Sequence, residues 1–113
     1  MNTSGKQWGS VTELFRGDFG VDRLIIQSGG YSSKHKHVHK NNRFYVLTGC
    51  LIVKQWLDGL MDETVLIADQ SITIPAGIYH QFLSPNGCEA IEIMWVDGMR
   101  DSDIERMSHG GKK

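Results

Sequence analysis

Four of the five histidines fall in two short segments. Lys34-His35-Lys36-His37-Val38-His39-Lys40 alternates imidazole with lysine or valine, and Pro75-Ala76-Gly77-Ile78-Tyr79-His80 sets one more histidine just after a tight turn. On a strand, successive side chains point to opposite faces, so His35, His37 and His39 share one face and the lysines share the other. Lysines require water, which turns the histidine face inward. Two histidines at i and i+2 can aim their ring nitrogens at one point and supply a metal with two ligands. His80, on an apolar strand about 40 residues later, is the candidate third. Two plainer readings stand beside this one: a solvated basic edge strand for 34–40, and a satisfied core histidine at 80.

Those side chains need strands to hold them. Short segments rich in Val, Ile, Phe, Tyr and Trp run through Trp8–Phe15, Val21–Gln27, His35–His39, Phe44–Leu47, Leu51–Leu57, Thr64–Ala68, Ser71–Ile74, Tyr79–Leu83 and Ala90–Val96. Turn residues separate them, among them Gly29-Gly30, Asn41-Asn42, Asp58-Gly59 and Asn86-Gly87. Before residue 99 no window repeats apolar residues at helical spacing over three turns, so the chain is expected to be all-β to about Gly98. Asp101-Ser102-Asp103 is suited to cap a short helix through Ile104–Met107, and His109 to Lys113 reads as a frayed end. The expected organisation is a single domain: an N-terminal strand arm over 1–20, a barrel core over 21–98 and a polar tail over 99–113.

Composition narrows the function classes. A chain of 113 residues with 40% apolar content supports one core, since a second would need roughly another 100 residues. Twelve basic and 13 acidic residues give a net charge of −1, which provides no field for a nucleic-acid backbone. No apolar run approaches the roughly 20 residues that span a bilayer, and Met1–Gly5 does not open a secretory signal. A cytoplasmic location is therefore expected, with neither nucleic acid nor membrane as partner. Cys50 and Cys88 are expected to be free thiols, Cys50 as a small core residue and Cys88 at a strand start.

Taken together, the two histidine segments resemble the motifs of the cupin superfamily. Its first motif runs Gly, five residues, His-x-His, three or four residues, Glu, six residues, Gly. Gly29, His35-Lys36-His37, Asn42 and Gly49 keep that spacing, with Asn42 in the place of the Glu. Its second motif ends Pro-x-Gly, two residues, His, three residues, Asn. Pro75-Ala76-Gly77 and His80 match it, Ser84 stands at the final position, and Ala68-Asp69 replaces the usual initial Gly-Asp.

The resemblance implies a double-stranded β-helix, or jelly-roll barrel, and a metal inside it. Carried over by position, the ligands are His35, His37 and His80, with Asn42 as a weak fourth ligand or a hydrogen-bond partner for bound water. His39 lies outside the motif register and is expected at the surface. Three neutral imidazoles with open positions suit a transition ion rather than Mg or Ca, so the expected cofactor is one divalent Fe, Zn, Mn or Ni ion. The further residues expected to face inward are Phe44, Val46, Gln55, Tyr79, Gln81, Glu92 and Trp95.

Cupins host many chemistries, so the fold does not choose among them. The expected function is a metal-dependent enzyme on a small polar molecule, with dioxygenase chemistry ahead of sugar isomerisation or epimerisation. The alternative is a non-catalytic ligand-binding or sensor module. Lys6-Gln7-Trp8-Gly9 and Val21–Ile26 also resemble the entry to cupins that isomerise mannose 6-phosphate, although a Gln usually stands there at the position of His35. An isomerase would need a general base, for which Glu92 or a tyrosine is the candidate. A homodimer is expected from the large apolar groups Trp8, Phe15, Phe19, Trp56 and Leu57.

Overall fold

The computed structural model describes residues 2–97, and the capped helix and frayed end expected in the tail lie outside them. Nine strands follow one another among the described residues: β1 (Thr3–Lys6), β2 (Gly9–Arg16), β3 (Phe19–Ile26), β4 (Gly30–Tyr31), β5 (Lys40–Leu57), β6 (Leu60–Ile67), β7 (Ser71–Ile74), β8 (Tyr79–Ser84) and β9 (Cys88–Val96). No helix occurs among the described residues, and none is therefore long and apolar enough to cross a membrane. All pairings are antiparallel, in the order β1-β2-β3-β9-β5-β8-β4, with β6 and β7 also paired to β5.

Strand β5 organises the molecule. Its first half pairs with β9 and β7, and its second half with β6 and β8. The sequence suggests two strands here, Phe44–Leu47 and Leu51–Leu57, broken at Thr48-Gly49-Cys50. The structure corrects this: the ladder passes through a register shift between Val46 and Thr48, and the strand bends without stopping. Gly49 permits the bend. Its φ is +83°, and a Cβ there would lie 2.3 Å from the Gly87 carbonyl oxygen.

Bending β5 curls the sheet, so that its inner faces meet over Leu24, Ile26, Phe44, Val46, Leu51, Val53, Leu66, Ile74 and Phe82. Strand β3 shows the alternation plainly, with Gly20, Asp22, Leu24 and Ile26 buried and the residues between them more exposed. Trp8 packs edge-to-face on Phe82 at 5.0 Å and so helps to close the core rather than standing on the outer surface. Phe15, Phe19 and Leu57 remain exposed. Both cysteines are free. Cys88 is buried at the start of β9, where burial pushes its thiol pKa up. Cys50 is only half-buried, because Leu51 and Val53 take the inward positions of β5.

Candidate metal centre

The backbone that carries the first histidines departs from the expected strand. His35–His39 is not a strand; only His35 makes a bridge, to His80. That bridge has both hydrogen bonds, His35 N to His80 O at 3.0 Å and His80 N to His35 O at 2.8 Å. It sets the two side chains opposite each other, with ring centroids 4.5 Å apart. His37 is pinned separately: its carbonyl accepts from the Gly77 amide at 2.7 Å, in the tight turn of the second motif. Asn41 braces the same turn, its Oδ1 accepting from the Ala76 amide at 2.9 Å while its Nδ2 donates to Asp97.

His35, His37 and His80 thereby come together, each offering a ring nitrogen within 4.8 Å of the others. Two of them have their tautomer set by the backbone. Nδ1–H of His35 donates to the Ser33 carbonyl at 2.9 Å, and Nδ1–H of His80 donates to the Ile78 carbonyl at 3.0 Å. Each Nε2 therefore keeps its lone pair, as a ligating imidazole requires. His80 is 2% exposed, and its Nε2 has no hydrogen-bond partner among the described residues. Burial lowers the pKa of both His37 and His80, and the neighbouring imidazoles add to the effect. Neutral imidazoles with converging lone pairs fit a transition metal ion.

The alternation expected of a strand survives locally. Lys34 and Lys36 turn outward over aromatic rings, Lys34 Nζ 4.0 Å from the centroid of Trp56 and Lys36 Nζ 4.9 Å from that of Tyr79. His39 is exposed and stands apart from the cluster, as its place outside the motif register suggests. Asn42 is 1% exposed; its Nδ2 donates to Glu92 Oε2, and its Oδ1 has no hydrogen-bond partner among the described residues.

A cavity of about 920 Å³ opens beside the cluster. His35 and His37 line it on one side, with Glu13, Arg16, Asp22 and Glu92 among the residues of the other walls. Register explains the second group: Glu13 of β2 faces Asp22 of β3, which faces Glu92 of β9, which faces Phe44 of β5. Arg16 is committed within this row, its Nη2 2.7 Å from Asp22 Oδ1 and its Nη1 donating to the Phe15 carbonyl at 2.8 Å. Burial raises the pKa of Glu92, with the Asn42 hydrogen bond opposing and Asp22 reinforcing the shift.

Of the other residues expected inside, Phe44 lines the cavity and Val46 is fully buried in the core. Gln55 and Gln81 are half-buried, Gln81 donating to the Ser32 carbonyl. Tyr79 faces outward beneath the lysines, and Trp95 lies on the opposite pleat to Glu92 and Met94. Asp22 and Arg16 did not stand out in the sequence. A signal was present for Asp22, a carboxylate with the parity of Leu24 and Ile26.

Comparison with solved structures decides the fold. The cupin domain of Schizosaccharomyces pombe Cnp3 superposes with a TM-score of 0.70 at 16% identity, over 86% of this chain and 69% of that one. The protein has the cupin fold. KdgF from Halomonas sp. matches over 92% of both chains, with a TM-score of 0.74 and 14% identity. Bacillus subtilis oxalate decarboxylase, a protein with Mn(II) centres, matches with a TM-score of 0.76 and 13% identity, over 89% of this chain and 29% of that one. Among curated proteins the chain is similar to mannose-1-phosphate guanylyltransferase of Sinorhizobium fredii (strain NBRC 101917 / NGR234), 32% identical over 107 residues. That match takes in 91% of this chain, which spans about one fifth (20%) of the length of that relative. No protein-family model matches the chain.

Proposed function

We propose that this cupin is a metal-dependent enzyme that binds a small polar molecule in its cavity and moves a proton on it. One observation carries the reading: three imidazoles from two chain segments bring ring nitrogens within 4.8 Å, with the tautomers of His35 and His80 set by backbone carbonyls. His35, His37 and His80 would hold the ion, which when bound would polarise a carbonyl or hydroxyl oxygen of the ligand. Glu92 is the proton-handling group. It faces the same cavity as His35 and His37, and its raised pKa makes its carboxylate a better proton acceptor than an ordinary one.

This favours proton transfer next to a carbonyl, of the kind that interconverts sugars, over the oxygenase chemistry that the sequence puts first. The similarity to part of a mannose-1-phosphate guanylyltransferase supports a sugar as the ligand. The oxygenase reading keeps one observation of its own, a three-histidine donor set with a neutral amide at position 42.

Elemental analysis of untagged protein, purified without added metal or chelator, tests the centre. The wild type is expected to carry a near-stoichiometric transition ion that His35→Ala and His80→Ala both lose. Absence of metal even after reconstitution overturns the reading. The loaded protein is then incubated with hydroxycarbonyl sugars in deuterated water. Deuterium entering the carbon beside the carbonyl supports proton transfer, and oxygen uptake in its place supports the oxygenase. A ligand retained without either reaction marks a binding module.

A further inference from the structure

Position 42 carries an amide where the first motif has a carboxylate, yet a carboxylate lies against it. Asn42 of β5 and Glu92 of β9 occupy the same inward face, since Asn42 pairs with Met94 and Phe44 pairs with Glu92. Nδ2 of Asn42 donates to Glu92 Oε2. That bond takes up the NH2 end of the amide and leaves Oδ1 as the free end. That oxygen is buried, and neither a hydrogen bond nor an ion pair reaches it among the described residues. The same holds for His80 Nε2. Phe44, two residues along β5 from Asn42 and on the same face, places its ring 6.4 Å from that of His80. Two buried acceptors without donors are what a cation would satisfy.

We infer that Asn42 and Glu92 act as one split carboxylate, Asn42 presenting the oxygen and Glu92, from the next strand, supplying the negative charge that offsets a cation held by the three histidines. This rests on the metal reading above and names a positioning residue for it. Glu92 acts through Asn42, which explains why the barrel can carry a neutral residue at 42 without leaving the centre short of charge. The arrangement also makes the two positions interchangeable. A carboxylate at 42 with an amide at 92 preserves the hydrogen bond, the shape and the net charge.

Mn²⁺ titration by calorimetry tests this on the wild type, Glu92→Gln, the exchanged double variant Asn42→Asp/Glu92→Gln, and His80→Ala. Glu92→Gln retains an acceptor for Asn42 and loses only the charge. It is expected to bind Mn²⁺ at least about tenfold more weakly, the usual scale for an outer partner of a metal ligand. The exchanged variant is expected to return to within about threefold of the wild type, which a merely structural role for Glu92 would not produce. Wild-type affinity in Glu92→Gln overturns the inference, and so does an exchanged variant as weak as Glu92→Gln. Should Glu92→Gln fail to fold, the exchanged variant carries the test alone, and weak binding by it overturns the inference. Failure of the metal reading looks different: the wild type binds no Mn²⁺, or His80→Ala binds it as well as the wild type does.

Discussion

The cavity has two walls built in opposite ways. On one, His35 and His37 stand on a loop held by a single bridge and one turn contact, with His80 at the start of a strand behind them. On the other, Glu13, Asp22 and Glu92 stand in register on three adjacent strands of a continuous ladder. The histidine wall is compact in sequence and irregular in backbone, whereas the carboxylate wall is dispersed in sequence and regular in backbone. Ligands that must converge on a point need a path that a flat ladder does not offer. Groups that must line a surface are served well by cross-strand neighbours about 5 Å apart.

The strongest way to break this arrangement is to remove Phe44, a fully buried side chain that lines the cavity. Phe44 is 1% exposed, lies in the register row of the carboxylates and sets its ring 5.9 Å from Phe82 and 6.4 Å from His80. Phe44→Ala is expected to cost about 3–5 kcal/mol of stability, because transfer and cavity costs add at a site that cannot collapse. Urea unfolding followed by circular dichroism measures it. A loss below about 1 kcal/mol would mean that the walls close over the gap.

Protons distinguish the walls by sign. His37 and His80 hold folded pKa values below the ordinary 6.5. As pH falls below 6.5, the unfolded chain takes up protons that these native imidazoles refuse, so the metal-free protein loses stability on acidification. Glu92 contributes with the opposite sign. Its folded pKa lies above 4.5, so the native carboxyl keeps a proton that the unfolded chain has released, and its share of stability is lost as pH rises through the folded value. With chelator present, His80→Asn is expected to flatten the loss below 6.5. Glu92→Gln is expected to gain stability relative to the wild type as pH rises. Urea midpoints across the range measure both, and the same slope in all three proteins would remove the distinction between the walls.

The walls also differ in how far the sequence revealed them. The grouping of His35, His37 and His80 was legible because each histidine segment is short and its spacing local, and the strand-like alternation put the lysines outside correctly even though the backbone is not a strand. The carboxylate wall was only partly legible. Glu92 was a candidate from strand parity, but Glu13 and Asp22 are single acidic residues whose meaning appears only when β2, β3 and β9 pair. Most strands followed from apolar alternation and turn residues. β1 was missed because all its residues are exposed and polar or glycine, and β4 because it has only two residues. The continuity of β5 was hidden by Gly49, which reads as a turn in sequence and serves as the pivot of a bulge.

The smallest effect tests whether the irregular histidine loop separates inside from outside as cleanly as a pleated strand would. Lys34 precedes His35 directly, yet its Nζ lies 4.0 Å from the Trp56 ring on the outer face. Lys34→Gln is expected to cost no more than about 1 kcal/mol of stability, the value of an exposed cation–π contact. The charge it removes is solvated and screened, so Mn²⁺ affinity is expected to stay within about twofold of the wild type. Removing a positive charge can only favour a nearby cation electrostatically. A loss of Mn²⁺ affinity in Lys34→Gln would therefore have to come through the backbone, and it would mean that the lysine's seat on Trp56 holds His35 in place. In that case the outer aromatic face and the inner imidazoles are one mechanical unit, and the alternation along the loop works as a clamp rather than a partition.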